Sequence, residues 1–154
     1  MSRAFVKESE GQELDDLPER VVSPHRNFVT PEGLAQIDAH LARLDAEATE
    51  ARASGDRSSL ARVERDRRYW FQRRATAEVV AATGASDVVR FGSRVMLGTD
   101  EGTQVEFRIV GEDESDPGRG LISYVSPLAA QLLGCRVGER VSFRNGEAEL
   151  VAVR

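Results

Sequence analysis

The residues that most constrain the fold are Leu34, Ile37, Leu41, Leu44, Ala48 and Ala51. Their spacing alternates between three and four, which is the seam of a coiled coil. The short turn Ser54-Gly55-Asp56-Arg57-Ser58 follows directly. A connection this short forces the next helix to run back antiparallel. The expectation is a narrow helical hairpin with a polar tip. A compact domain has little use for such a rod unless the tip must reach something.

Both ends of the rod are marked. Thr30-Pro31-Glu32 supplies a hydroxyl cap, a proline at the first helical position and an acid at the positive end of the helix dipole. Helix one should run to about Ala53, roughly 35 Å of rod, and Gly55 should end it in a left-handed conformation. Helix two should run from near Ser58 to near Ala82, before Gly84. Antiparallel pairing then sets Val63 beside Ala48, Trp70 beside Leu41 and Ala77 beside Leu34. Arg67 and Arg74 fall on or beside the seam, with packed stems and solvated heads. Tyr69-Trp70-Phe71 fits helix packing; a base-stacking platform would need these rings exposed. Helix two is rich in arginine and helix one in acids. That pattern has two readings. One is cross-helix charge pairing, weak for each exposed pair. The other is a basic face, including Arg57, Arg62, Arg65 and Arg68, that lies against RNA or an acidic channel wall.

After Ser86 the pattern changes to strands at residues 88–91, 94–97, 104–110, 121–125, 140–144 and 148–153, separated by glycine-bearing turns. Ser126-Pro127 through Gly134 reads as one short helix. The fold class is α+β: an antiparallel coiled-coil hairpin over 30–84, then a small domain over 85–154 with a bent antiparallel sheet and one short helix. Residues 1–29 read as an extended or disordered tail, or as an arm anchored through Leu14, Leu17, Val21, Val22 and Phe28.

The net charge of −5 argues against a general nucleic-acid coat. The N-terminus has no apolar run, and no stretch is long enough to span a membrane. Cys135 is the one cysteine, which excludes an intramolecular disulfide framework and a cysteine-based zinc site. A cytoplasmic protein is expected. Because the short turn satisfies the seam within one chain, a monomer is expected too.

Several passages, in this order and spacing, resemble the Gre family of bacterial transcript-cleavage factors. They are Thr30-Pro31-Glu32-Gly33-Leu34, Gly55-Asp56-Arg57-Ser58, Phe91-Gly92-Ser93-Arg94-Val95, Ile109 to Glu114 with Gly120-Leu121-Ile122-Ser123, Ser126-Pro127-Leu128-Ala129, Leu133-Gly134 and Val137-Gly138-Glu139. The likeness covers residues 30–154, and the tip is closer to the GreB branch. It implies an FKBP-like C-terminal domain that docks at the rim of the secondary channel of RNA polymerase. The coiled coil would enter that channel. The implied docking surface includes Gly111, Glu112, Asp113, Glu114, Ser126 and Pro127. Where GreB-type members carry an acid just before the Ser-Pro, this chain has Val125.

The resemblance also implies a role for the tip. Family tips read Gly-Asp-x-Ser-Glu-Asn and lend carboxylates that help the polymerase hold a second Mg²⁺, a hard cation that takes oxygen ligands. The factor has no cofactor of its own and is not itself an enzyme. Here Asp56 matches the aspartate, but Ser59 stands in the place of the glutamate and Leu60 in that of the asparagine. A serine hydroxyl does not replace a carboxylate's charge. Glu64, about 7.5 Å further along the helix, is out of reach of the same point. Asp56 also suits an ordinary helix cap. The expectation is a polymerase-binding elongation regulator with weak or absent cleavage stimulation, touching nascent RNA at most indirectly. The alternatives are a fully active cleavage factor, an inhibitory channel competitor, a prolyl isomerase using Phe91, Phe107, Tyr124 and Phe143, and a self-associating structural module.

Overall fold

The computed structural model describes residues 17–82 and 84–154. The expectation for residues 1–16, Leu14 included, lies outside them. The chain divides into two compact units. One comprises residues 17–25 together with Ala35–Thr76; the other comprises Arg26–Leu34 and the chain from Ala77 to Arg154.

In the first unit, helix α1 (Pro31–Ser54, its first turn counted with the second unit) and helix α2 (Arg57–Thr76) form the hairpin. Of the expected seam, Ile37, Leu44, Ala48 and Ala51 are buried; Leu34 and Leu41 are half-buried. Val63 and Trp70 are buried on α2. The antiparallel register is visible in three ion pairs across the helices: Arg52–Glu64 at 2.9 Å, Arg67–Asp45 at 2.5 Å and Arg74–Asp38 at 2.7 Å. The arginine-rich and acid-rich helices thus neutralise each other. The ring stacked on Trp70 is that of His40, with centroids 4.1 Å apart. The tail touches this unit before it reaches the helices. Glu19 binds Arg68, and the Arg20 guanidinium sits 3.9 Å over the Tyr69 ring. Val21, an expected anchor, is 90% exposed and anchors nothing.

Helix α2 stops at Thr76 rather than near Ala82. Strand β1 (Phe28–Val29) and strand β2 (Glu78–Val79) pair in parallel. The Glu78 amide donates to the Asn27 carbonyl at 2.8 Å and the Val80 amide to the Val29 carbonyl at 2.9 Å. Backbone donors used in this ladder cannot also continue a helix. Arg26 adds a two-nitrogen grip on the Glu78 carboxylate at 3.1 and 2.5 Å. Residues 26–34 and 77–84 therefore belong with the sheet unit, and the division departs from segments cut at 30 and 85.

The main sheet has strands β3 (Arg94–Thr99), β4 (Gln104–Val110), β5 (Leu121–Ser123), β6 (Arg140–Phe143) and β7 (Gly146–Val153), ordered β5-β4-β3-β7-β6. It is mixed, not wholly antiparallel. β4 and β5 are parallel, with Arg108 opposite Leu121 and Val110 opposite Ser123. Two 3-10 turns, Glu112–Glu114 and Pro117–Arg119, carry the chain back so that it enters β5 in the direction it left β4. The stretch expected as a strand at 88–91 yields a single bridge, Val88 to Arg136, because the chain turns at Phe91-Gly92. Helix α3 (Pro127–Leu132) covers the core, in which Leu97, Ile109, Ala129, Leu132 and Leu150 are fully buried.

One carboxylate organises the start of α1. Glu114 is buried, and its Oε2 accepts hydrogen bonds from the Thr30 amide at 3.0 Å and the Gly111 amide at 3.1 Å. Its Oε1 accepts a short hydrogen bond from the Thr30 hydroxyl. That hydroxyl in turn accepts from the Gly33 amide at 3.0 Å, the cap expected from the sequence. A negative carboxylate at a helix N-terminus also complements the helix dipole. Gly33 makes room for it: a Cβ there would lie 2.2 Å from the Glu114 Cδ.

Glu114→Ala should remove this acceptor and cost about 3 kcal/mol, seen as a drop in Tm of roughly 10 °C. Gly33→Ala should lose a similar amount by displacing the carboxylate. In the Glu114→Ala background Gly33→Ala should instead be neutral or mildly stabilising, since alanine is the better helix former. Strictly additive losses in thermal melts would contradict this coupling.

Candidate functional site

The tip is built from backbone rules. Gly55, at φ 71°, takes the left-handed conformation that ends α1. The Asp56 amide donates to the Ala51 carbonyl at 3.0 Å. Asp56 then opens α2: its Oδ1 accepts the Ser59 amide at 3.1 Å, and its carbonyl accepts the Leu60 amide at 3.0 Å. The Asp56 carboxyl is fully exposed and held below the usual carboxylate range, first by the Ser59 hydroxyl, then by the Ser59 amide, with Arg62 adding attraction. Asp56 is therefore an ionised helix cap, and Ser59 is its capping partner. Of the roles expected for Asp56, the helix cap is the one seen here.

Glu64 is held by Arg52 on the neighbouring helix. A reading along α2 alone misses two acids on α1. Glu47 and Glu50 line one shallow cavity of about 250 Å³ with Asp56, Ser59 and Arg62. The antiparallel register was the signal that could have found them. Glu47 is already paired with Arg43 at 3.0 Å. Among the described residues no group of three or more metal-ligating side chains gathers.

The four arginines of the expected basic face divide into two pairs. Arg57 and Arg62 are exposed at the tip and form no ion pair among the described residues. Arg65 is paired with Asp66 at 3.2 Å and Arg68 with Glu19 at 2.5 Å.

The expected docking residues emerge together. Because β4 and β5 are parallel, with Val110 opposite Ser123, the segments that follow them leave the sheet at the same end. These are the Gly111 loop and the Ser126-Pro127 turn. Ser126 caps α3, its hydroxyl accepting the Ala129 amide at 3.3 Å, and Pro127 is exposed. Glu112 and Asp113 are half-buried. Gly111 and Glu114 are buried, so these two expected contact residues serve the clasp on Thr30 rather than an outer surface. The reason is local: a Cβ on Gly111 would meet the Phe28 carbonyl at 2.4 Å.

The aromatic residues of the sheet unit are engaged with one another. Phe28, Phe91 and Tyr124 form a triangle with centroids 5.4 to 5.9 Å apart. Phe107 packs edge-on against Phe143 at 5.8 Å. Ring–ring packing of this kind uses the surfaces that an isomerase pocket would present to a substrate.

The family description "Transcription elongation factor, GreA/GreB, C-term" matches residues 84–153. A GreA factor of Nitratiruptor sp. is 43% identical over 65 residues, 42% of this chain and 40% of that protein. Longer matches are found with GreA factors of Rhodospirillum rubrum, 33% identical over 136 residues and covering 75% of this chain and 87% of the relative, and of Anaeromyxobacter sp., 36% identical over 150 residues and covering 79% and 86%. Among solved structures, the Gfh1 protein of Thermus thermophilus aligns with 84% of this chain and 99% of its own, at 21% identity and a TM-score of 0.41. With relatives 33% and 36% identical matched along most of their length, this chain belongs to the GreA/GreB family of transcription elongation factors.

Proposed function

We propose that this chain binds RNA polymerase through the secondary channel and regulates elongation while stimulating transcript cleavage weakly or not at all. The observation that carries this reading is at the tip. Asp56 is the one acid in the tip turn, one of its oxygens caps α2, and Ser59 rather than a second acid occupies the next position on that helical face. A lone carboxylate adds one ligand to a shared Mg²⁺, where two would share the ion's charge. The factor is accessory: the polymerase cuts the RNA, the chain brings no cofactor, and its contact with RNA is indirect. It acts as a monomer in the cytoplasm. Asp113 and Pro127 at the common end of β4 and β5 are the proposed contacts to the polymerase.

A second reading draws on the same tip. Arg57 and Arg62 flank the single acid and are exposed. A tip of this charge fills an acidic channel without equipping it for hydrolysis, which would make the chain an inhibitory competitor of other channel-binding factors.

Cleavage in stalled, backtracked elongation complexes is the deciding assay. The native chain should give little or no stimulation. Ser59→Glu should raise cleavage several-fold and lower the Mg²⁺ needed, with polymerase affinity unchanged. Asp56→Ala should remove the remainder. Strong cleavage by the native chain would defeat the proposal and identify a fully active factor.

Docking is tested separately by competition binding. Asp113→Ala with Pro127→Ala should weaken polymerase association about tenfold and leave the circular dichroism spectrum unchanged. Full retention of affinity would move the contact to another surface.

The cap also sets a pH dependence. Asp56 has a depressed carboxyl in the folded chain, so its stabilising effect on α2 is present above the ordinary aspartate range. That effect fades as pH falls through the depressed value. An NMR titration should find the Asp56 carboxyl midpoint below the usual aspartate value, with the Ser59 amide resonance moving at the same pH. A midpoint at or above the ordinary value would refute the cap's contribution.

A further inference from the structure

The five-stranded sheet has two edges, β5 and β6. An open edge presents N–H and C=O groups with which a strand of another molecule can pair. The chain closes its β5 edge with its own backbone. Leu121 exchanges two hydrogen bonds with Asp116, at 2.9 and 3.0 Å, and the Ser126 amide donates to the Ser123 carbonyl at 2.9 Å. The β6 edge is closed by a side chain instead. Val141 and Phe143 are buried, while Arg140 and Ser142 are exposed. The primary amide of Gln131 lies along the outer side of Ser142. The Ser142 N–H donates to its Oε1 at 3.0 Å, and its Nε2 donates to the Ser142 carbonyl at 3.4 Å. One side chain thus repeats the pair of bonds that a neighbouring antiparallel strand would form. Gln131 is held in place by its neighbours on α3, since Ala129 and Leu132 are fully buried in the core. Arg140, two residues before Ser142, directs its backbone groups to the same outer side by the alternation of an antiparallel pair.

We propose that Gln131 is an edge guard, which keeps β6 from pairing with β6 of a second copy of this chain. The strand itself names the occupant that is excluded. Two β6 strands can run antiparallel about a two-fold axis centred on Val141, the symmetric contact that identical chains favour. That register sets Arg140 of each copy opposite Ser142 of the other, so it uses the outward N–H and C=O of both residues. It brings the two Val141 side chains together on the buried face and places no two arginines directly opposite, where like charges would repel. The outer bonds of Ser142 are therefore the ones that self-pairing needs, and Gln131 already holds them. A four-residue edge is a small interface, so occupying half of its outward groups tips the balance toward the monomer. Arg140 adds a second obstacle, a charged side chain on the edge strand, fixed to Asp100 at 2.9 Å and Glu147 at 3.0 Å. The inference goes beyond the polymerase reading: it concerns the sheet unit alone, and no polymerase assay enters its test.

The test uses the full chain. Amide hydrogen exchange at Ser142, followed by NMR in dilute solution, should be about tenfold or more faster in Gln131→Ala than in the native chain. Gln131→Glu keeps the acceptor for the Ser142 N–H and loses the donor to its carbonyl, so it should retain most of that protection. Sedimentation velocity over a concentration series should show Gln131→Ala approaching the dimer mass at a concentration about tenfold or more below any at which the native chain does so. Across the same series the outward Arg140 amide should exchange more slowly as Gln131→Ala dimerises. Equal Ser142 exchange in the native chain and Gln131→Ala would overturn the guard, as would equal mass at every concentration. Dimerisation of Gln131→Ala with Arg140 exchange unchanged would place the contact on another surface and overturn the assignment to β6.

Discussion

The carboxylate of Glu114 fixes where α1 begins. It is a buried charge that would be costly without partners, and it has three: two backbone amides and the Thr30 hydroxyl. Those donors come from segments 84 residues apart in the case of Thr30 and three in the case of Gly111. The same oxygen atoms therefore close the 3-10 turn after β4 and cap a helix that starts far earlier in the chain. Gly33 and Gly111 are the space this arrangement needs. The loop after β4 thus has two layers. Its backbone and Glu114 serve the fold, while Glu112 and Asp113 beside them stay half-buried.

Much of this was legible in the sequence because local rules governed it. The three-four spacing from Leu34 to Ala51 gave the seam, since burial on a helix follows its period. Thr30-Pro31 gave the cap, and Gly55 gave the left-handed end. The alternation at residues 104–110 gave β4. Each of these is decided by residues within a few positions of one another.

The misses have the opposite character. Ala75 to Ala82 favours helix by propensity, yet pairing with Phe28–Val29, fifty residues away, takes Glu78 and Val79 into a strand. The run Glu112-Asp113-Glu114 looks like a solvated acidic loop, and only a threonine near the other end of the chain turns its last member inward. Glu47 and Glu50 were overlooked because they join Asp56 across the hairpin rather than along one helix. At the tip itself the sequence was a sufficient guide to the cap, because Asp56 and Ser59 are three residues apart.

The pairing of β1 with β2 has a consequence for how the chain folds. Closing Phe28 onto Glu78 as a bare loop would restrain all the chain between them. Loop-closure entropy grows with the logarithm of loop length, so a fivefold shorter effective loop saves about 1.4 kcal/mol. Two helices joined by a short turn form from near-neighbour contacts and return the chain toward its starting point. The hairpin is thus a splint: once it has zipped, the two ends of a long insertion behave as a short one, and the sheet unit can assemble as though the insertion were only a few residues long.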